Sequence, residues 1–214
     1  MTPFLLVLSS PSGGGKTTIA RRLLEARPGS LDRSISATTR AARNGELEGK
    51  DYFFLSRAEF DRRERAGDFL ETATYNGDRY GTLRSEVERI LAQGKTPVLV
   101  IEVQGARQVR RQFANAVHVF VLPPSGPALV QRLRARRTED PATLRQRLEA
   151  AAREIEAAAE YDYVIVNDDL AAAVAGLGAV LDAEARRVGR QEGLPGLVAL
   201  LRREVAHEAQ ALRT

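Results

Sequence analysis

Short apolar runs alternate along the chain with segments that have helical periodicity. The runs lack the polar residue at every second position that marks a half-exposed strand, so they are typical of strands buried on both faces. The strands predicted in this way are residues 4–8, 97–101, 116–122 and 163–166. Their alternation with helices predicts an α/β fold with a mostly parallel sheet and helices on both faces.

Two of the predicted helices have recognisable first residues. Ser125 precedes a helical stretch at residues 126–137. Asp140 and Pro141 precede a long helix, rich in Arg, Glu and Ala, that extends to about Glu160. Ser and Asp accept hydrogen bonds from the free N–H groups of a first turn, and proline is favoured at the first helical position.

Residues 33–96 do not follow this alternation. They contain short segments of alternating polarity, such as 51–54 and 69–71, and a small helix that begins with the capping box formed by Ser56 and Glu59. We therefore predict a lobe that is inserted into the sheet domain.

Composition limits the class of protein. The chain has 214 residues, of which 43% are hydrophobic, so it can bury a sizeable core. It has no cysteine, which excludes disulfides and cysteine metal sites, and His118 and His207 are expected to be structural, since neither belongs to a metal-binding motif. No segment approaches the ~20 apolar residues of a membrane span, and the first residues do not form a signal peptide. We expect a soluble cytoplasmic protein.

The charge of the chain favours no particular partner. The net charge is +4, and 28% of the residues carry charges of both signs. Nucleic-acid binding is therefore a weak alternative. The amphipathic C-terminal stretch 194–214 is expected to dock on the same chain, with a subunit interface as the other possibility.

Residues 10–17 have the sequence Ser-Pro-Ser-Gly-Gly-Gly-Lys-Thr and lie between a predicted strand and a predicted helix. Glycine allows successive N–H groups to face phosphate oxygens, and the helix adds its positive N-terminal end. Lys16 would reach the β and γ phosphates, and the Thr17 hydroxyl would ligate Mg²⁺. Ser10 stands where G-x-x-x-x-G-K-[ST] has its first glycine. The expected nucleotide-binding residues are Ser10, Pro11, Ser12, Gly13, Gly14, Gly15, Lys16, Thr17 and Thr18.

A second phosphate site is indicated in the inserted lobe. Arg40 and Arg43 stand three residues apart in a loop rich in hydroxyls and amides, which suits a phosphate other than the one bound by residues 10–17. A solvated polar loop would explain either arginine by itself. It would not explain the complete pattern T-T-R-x-x-R-x-x-E-x-x-G-x-x-Y-x-F, and with this pattern the chain resembles the guanylate kinase family over roughly residues 4–185.

The resemblance implies a P-loop NTPase-type parallel sheet core with an inserted lobe that binds a nucleoside monophosphate, and a helical lid. It divides the chain into a core (1–32, 97–125 and 159–190), a GMP-binding lobe (33–96), a lid (126–158) and an extra C-terminal helix (194–214).

The resemblance also implies the residues that bind GMP. The expected phosphate ligands are Arg40, Arg43, Tyr52 and Tyr80, and Glu46 belongs to the same signature. The residues similar to the guanine ligands of the family are Ser36, Glu71 and Thr82. The chemistry agrees, because guanine presents N1–H and a 2-amino group that one carboxylate can accept together. Phe69 and Tyr75 are expected in the core of the lobe.

Other family positions are less complete in this chain. Glu102 stands where the family usually has Asp, and Val100 replaces a further acid, so we expect Glu102 to bind the acceptor or a Mg²⁺-bound water and Val100 to pack in the sheet. Asn167 is expected either to contact the adenine of ATP or to cap the next helix.

The predicted lid contains many arginines. By resemblance, Arg132, Arg136 and Arg147 are expected to close over the triphosphate, whereas Arg134 and Arg145 are expected to be solvated. Together with Lys16, the three lid arginines are the predicted catalytic residues.

The resemblance therefore implies a guanylate kinase that transfers the γ-phosphoryl group of ATP to GMP and uses Mg²⁺. The alternative is a non-catalytic interaction module with the same fold, but such modules typically lose the lysine and glycines that are intact here. A GTPase-type switch is disfavoured because the chain has no Asn-Lys-x-Asp sequence. The oligomeric state is left open.

Overall fold

The computed structural model describes residues 3–75, 77–135 and 141–212. The strands in these residues are β1 (Leu6–Ser9), β2 (Leu31–Arg33), β3 (Ser36–Thr38), β4 (Phe53–Phe54), β5 (Phe69–Tyr75), β6 (Asp78–Leu83), β7 (Thr96–Val100), β8 (Val117–Leu122) and β9 (Tyr163–Val166). The helices are α1 (Lys16–Ala26), α2 (Arg57–Arg65), α3 (Arg84–Ala92), α4 (Val103–Gln112), α5 (Gly126–Arg134), α6 (Pro141–Glu156), α7 (Leu170–Ala185) and α8 (Leu194–Ala211). Short 3₁₀ segments lie at Ala157–Glu160 and Val188–Arg190.

The larger sheet is parallel and has the strand order β2-β7-β1-β8-β9. All four residues of the central strand β1 are buried. Its alternate side chains serve two separate clusters: Leu6 and Leu8 pack toward α1 and α7, and Val7 packs toward α3 and α4. The predicted parallel α/β core is confirmed.

The edge strand β2 was not predicted from the sequence. It has three residues, of which only Leu31 is buried, while Asp32 and Arg33 are partly exposed. Because it pairs with a single neighbour, β7, it needs no continuous apolar run. Its last residue, Arg33, still belongs to the large sheet, although the lobe was expected to begin at residue 33.

A second sheet lies within the lobe, with the order β4-β3-β6-β5. Strands β5 and β6 form an antiparallel pair that places Glu71 opposite Thr82, and β3 places Ser36 opposite the same threonine. The lobe has its own core, in which Phe60 and Phe69 stack with ring centroids 4.4 Å apart. The Ser56 cap is confirmed, because its hydroxyl accepts from the Glu59 N–H at 3.1 Å and α2 follows. The reciprocal half of the capping box is wrong, since the Glu59 carboxylate accepts from Arg62 and Arg63 instead.

Helices α5 and α6 pack together through Leu129, Leu133 and Ala151. The Ser125 cap is confirmed, since its hydroxyl accepts from the N–H of Ala128. Helix α5 ends at Arg134, and Asp140 lies outside the described residues. The long second helix is shorter than expected: α6 ends at Glu156, and the next four residues form a tighter 3₁₀ turn.

The expected docking of the C-terminal helix is wrong for the described residues. Helix α8 has no buried side chain, and the more exposed large apolar residues of the structure include Leu197, Val198, Leu200, Leu201 and Val205. The amphipathic pattern was therefore correct for the helix, although no described segment covers its apolar face. In residues 3–75, 77–135 and 141–212, no helix has both the length and the apolar character needed to cross a membrane.

Candidate active site

The phosphate-binding loop, residues 10–17, connects the end of β1 to the first turn of α1. Gly13 and Gly15 have φ angles of 84° and 102°, a region that side-chain-bearing residues rarely adopt. A Cβ atom at Gly15 would also lie 2.3 Å from Nδ2 of Asn167. The loop is closed by the N–H of Gly14, which donates to the carbonyl of Pro11 at 2.9 Å. This backbone arrangement, followed directly by a helix N-terminus, can bind phosphate oxygens.

Lys16 forms an ion pair with Glu102 beyond the carboxyl ends of strands β1 and β7. Lys16 Nζ donates to Glu102 Oε1 at 2.9 Å, and both side chains remain partly exposed. They meet because β1 and β7 are parallel neighbours, so that α1 and α4 both begin beyond the carboxyl ends of these strands. Val100 packs against the core cluster around β1, as expected. Thr17 and Thr18 are exposed in the first turn of α1.

The expected phosphate ligands of the lobe lie close together. Arg40 lies over the ring of Tyr52, with its Cζ atom 5.3 Å from the ring centroid, and the Tyr52 and Tyr80 rings are 6.1 Å apart. Glu46 accepts from both terminal nitrogens of Arg40, at 2.9 and 3.0 Å, and from the N–H of Arg43 at 2.7 Å. The Arg40 hydrogen bond is the main reason that the pKa of Glu46 lies below its ordinary value. In this structure Glu46 thus orients an arginine.

The expected guanine ligands surround one buried carboxyl group. Glu71 is 4% exposed and accepts from the Thr82 hydroxyl at 2.7 Å. Burial raises the pKa of Glu71 to about 7, although the hydrogen bonds from Thr82 oppose the shift. Ser36 is the strand partner of Thr82. A buried carboxyl group with acceptor positions left over is suited to a ligand that brings two N–H donors.

The lid arginines differ in their surroundings. Arg132 donates to the carbonyl of Asn167 at 2.9 Å, and buried Arg147 donates to the Ser12 hydroxyl at 3.2 Å. Arg136 lies outside the described residues. Arg134 and Arg145 are exposed, as expected for solvated arginines.

Asn167 does not cap the helix that follows it. Asp169 caps α7, because its carboxylate accepts from the N–H of Ala172 at 2.7 Å. Asn167 instead donates from Nδ2 to the carbonyl of Gly14 at 2.9 Å. It borders a cavity of about 340 Å³ that is also lined by Gly13, Gly15 and Arg132. The capping alternative is therefore wrong, and the adenine contact stays a prediction.

Comparisons with known proteins agree with this geometry. The guanylate kinase family model matches residues 3–184. The guanylate kinase of Symbiobacterium thermophilum is 50% identical over 186 residues, which are 87% of this chain and 88% of that protein. The guanylate kinase of Rhodopseudomonas palustris strain CGA009 is 43% identical over 202 residues, covering 94% and 91%. The crystal structure of guanylate kinase from Anaplasma phagocytophilum has a TM-score of 0.75 at 38% identity and covers 92% of this chain and 93% of that one.

The chain belongs to the guanylate kinase family. The family resemblance and the guanylate kinase function predicted from the sequence are thereby confirmed. The matched region of the family model ends at residue 184, before α8, so the exposed C-terminal helix lies outside the family match.

Helix α6 has a contact with the phosphate-binding loop that sequence reasoning missed. Glu154 of α6 accepts from the main-chain N–H of Ser12 at 2.9 Å, and burial raises its pKa above the ordinary value. It lies seven residues after Arg147, two helical turns away on the same face. That spacing was the available signal, but it was obscured by the many other charged residues of α6.

Tyr75 was placed in the lobe core by the sequence analysis, and that prediction is wrong. Its side chain is partly exposed, and its hydroxyl points to Ser12 Oγ at 3.4 Å, a long hydrogen bond. Together with Thr143 and Arg147 it lines a cavity of about 390 Å³. Tyr75 is the last residue of β5, where the strand leaves the lobe core, so an aromatic residue there can face the lid. The expectation for Phe69 is confirmed.

Proposed function

We propose that this protein transfers the γ-phosphoryl group of ATP to GMP and forms ADP and GDP. The observation that carries the proposal is the first turn of α4, which contacts both expected nucleotide sites. Glu102, directly before the helix, pairs with Lys16 of the phosphate-binding loop. Gly105, in the same turn, lies against the carboxyl group of Glu71. Donor and acceptor nucleotides bound at these two places would meet at this turn.

The acceptor would be bound by two groups of residues. Arg40, Arg43, Tyr52 and Tyr80 would bind the phosphate of GMP, with Glu46 orienting Arg40. In what we call the guanine pocket (Ser36, Glu71 and Thr82), the Glu71 carboxylate would accept from N1–H and the 2-amino group. Ser36 would donate to O6, and Thr82 would do the same once its hydroxyl hydrogen turned from Glu71 to the base. The raised pKa of Glu71 supports this assignment, because a strongly desolvated carboxyl group is typical of a binding site.

Catalysis would consist of positioning and charge stabilisation. The attacking phosphate oxygen of GMP is largely ionised at pH 7, so no general base is required. Lys16 and the loop N–H groups would hold the transferring phosphoryl group, and Arg132, Arg136 and Arg147 would approach it from the lid. The contacts of Arg132 and Arg147 with loop residues support this role.

The residues of the loop fit a nucleotide-bound Mg²⁺ ion. In the described residues no cluster of three or more His, Cys, Asp or Glu side chains could hold a metal by itself. Mg²⁺ in kinases usually has few protein ligands and keeps phosphate and water ligands, which suits one exposed hydroxyl at Thr17 with Glu102 nearby. When bound with ATP, Mg²⁺ would neutralise phosphate charge.

The non-catalytic alternative has no support. Lys16 and the three glycines of the loop are intact, and the matched relatives are named guanylate kinases.

A coupled assay of ADP release, run with ATP and each of GMP, IMP, AMP, CMP and UMP, tests the proposal. We expect turnover to be highest with GMP and to be lost when Mg²⁺ is removed by a chelator. If a preparation that binds GMP released no ADP with any of the monophosphates, the proposed kinase activity would be contradicted. Equal turnover with GMP and AMP would contradict the guanine pocket.

A further inference from the structure

The first turn of α4 leaves space for the Glu71 side chain at one residue, Gly105. A Cβ atom built at Gly105 would lie 2.1 Å from Oε2 of Glu71 and 2.8 Å from its Cδ. Both distances are shorter than any real carbon contact, so the two groups cannot occupy these positions together. The carboxyl group is therefore where it is because residue 105 has no side chain.

The backbone of α4 does not require glycine at this position. Gly105 is not among the described glycines with positive φ, and it lies inside a regular helix. Alanine is more favourable than glycine in a helix interior. The reason for glycine at residue 105 is thus the space that it leaves for Glu71.

Glutamine side chains of α4 tie strand β5 to the helix on both sides of Glu71. Gln108 holds Thr72, the neighbour of Glu71, by two hydrogen bonds: its Oε1 accepts from the Thr72 N–H at 3.1 Å and its Nε2 donates to the Thr72 carbonyl at 2.6 Å. Gln112 donates to the carbonyl of Leu70 at 2.9 Å, on the other side of Glu71. A side chain at residue 105 would therefore displace the flexible carboxyl group and leave the strand in place.

We propose that Gly105 is a positioning residue for base selection, which fixes the location of the Glu71 carboxylate relative to the bound base. The inference rests on the proposed role of Glu71 in binding guanine. A methyl group at residue 105 would push the carboxylate away by more than ~1 Å before the two groups reached an ordinary contact distance. In a well-oriented site, a misplacement of that size lowers the rate by roughly 10²-fold.

The test is Gly105→Ala, assayed for kcat/KM with GMP and with IMP, which lacks the 2-amino group. We expect the preference for GMP over IMP to fall by roughly tenfold or more, through a higher KM for GMP, while the KM for ATP stays unchanged. Gly196→Ala is the matched control: Gly196 is also helical, but no neighbouring atom would lie within 4 Å of a Cβ atom added there. It should leave the preference unchanged. An unchanged preference in Gly105→Ala would overturn the inference.

Glu71→Gln and the double variant separate this inference from the function on which it rests. If Glu71→Gln leaves the preference for GMP over IMP unchanged, the proposed role of Glu71 fails. If it lowers the preference and Gly105→Ala does not, only the inference about Gly105 fails. We expect Gly105→Ala to add little in the Glu71→Gln background, since both changes act on one contact. Fully additive losses would show that Gly105 acts elsewhere.

Thermal unfolding keeps the inference testable if Gly105→Ala does not fold. In a Glu71→Ala background the new methyl group has space, so the double variant should melt at least as high as Glu71→Ala alone. A double variant that unfolds as readily as Gly105→Ala would show that glycine is needed for helix packing, and would overturn the proposal.

Discussion

The phosphate-binding loop takes its shape from consecutive residues, 10–17, whereas the guanine pocket takes Ser36, Glu71 and Thr82 from three different strands. In the loop the main chain is the binding group, with two glycines at positive φ and a helix directly after it. In the pocket the proposed binding groups are side chains, and the central one is a buried carboxyl group. Binding by main-chain N–H groups depends on the backbone conformation of the loop. Binding by side chains depends on the positions of a few polar atoms.

This difference gives the two regions different sensitivities. The loop would bind the phosphates of any nucleoside triphosphate, because N–H groups recognise charge and shape. The proposed guanine pocket would discriminate more strongly, because a wrong base would leave buried polar groups unpaired. We therefore expect changes in the loop to affect turnover and changes in the pocket to affect the choice of base.

Lys16→Ala should have the largest effect. We expect kcat to fall by roughly 10²- to 10³-fold, because a charge at the transferring phosphoryl group is lost, while the calorimetric affinity for GMP changes by no more than about twofold. Lys95→Ala is the control, since Lys95 lies just before β7, at the amino end of the strand, whereas Lys16 lies beyond the carboxyl ends. Loss of GMP binding with surviving turnover would mean that the two sites are assigned in reverse.

Arg147→Ala should have the next largest effect. We expect kcat to fall by roughly 10- to 100-fold, with smaller changes in both KM values, because Arg147 would act mainly in the transition state. Arg145→Ala is a matched control from the same helix, where the side chain is 75% exposed. Equal activity of the two variants would assign Arg147 a structural role only.

The guanine pocket should depend on pH through Glu71. Burial raises the pKa of this carboxyl group to about 7. Its ionised fraction would then rise from roughly a tenth at pH 6 to nine tenths at pH 8, so kcat/KM for GMP should rise by up to about tenfold. GMP has a phosphate that titrates in the same range, and Glu71→Gln retains only that dependence. Superimposable pH profiles of the two proteins would contradict the assignment.

The same titration should appear in the stability of the unliganded protein, with the opposite direction. The folded-state pKa of Glu71 lies above the ordinary value of 4.5, so the folded protein binds more protons between these pH values. The stabilising contribution is present below pH 4.5 and is lost as the pH rises through about 7. The melting temperature of the wild type relative to Glu71→Gln should therefore fall from pH 5 to pH 8.

Tyr75→Phe should have the smallest effect and tests the place where the lobe meets the loop. The 3.4 Å contact with Ser12 is long, so its loss should change kcat by about twofold or less. Steady-state kinetics with both substrates would measure it, and Tyr163→Phe, in the sheet and remote from the loop, is the control. A loss above tenfold would show that this contact couples the lobe to the loop.

The parts of this molecule that could be predicted from the sequence are those with a local signal. The strands β1, β7 and β8 are buried apolar runs, and the phosphate-binding loop is one contiguous segment. Strand β9 is also an apolar run, but it lies at the edge of the sheet, and the expectation of a fully buried strand is wrong there, since Val164 and Val166 are exposed. Strand β2 has no such run, because it is short and pairs on one side only. It is held in the sheet by its pairing with β7 and by the burial of the single residue Leu31, and neither gives a periodic sequence signal.

Contacts between distant segments were harder to predict. Glu154 reaches Ser12 across 142 positions of the chain, and Gly105 meets Glu71 between a helix and a strand. The direction of Tyr75 depends on where β5 ends. The exposure of α8 could not be predicted either. An amphipathic pattern shows that a helix has an apolar face, but it does not show what packs against that face.

The hydrogen bonds from α4 to β5 have a consequence for the behaviour of the protein during folding. Strand β5 is at the edge of the lobe sheet, where unpaired main-chain groups would normally recruit a strand from another molecule. Gln104, Gln108 and Gln112 occupy those groups at Thr74, Thr72 and Leu70. Until α4 is in place, the edge is open to intermolecular pairing. The helix that contacts both Lys16 and Glu71 through its first turn therefore also covers the strand edge that could otherwise pair with another chain.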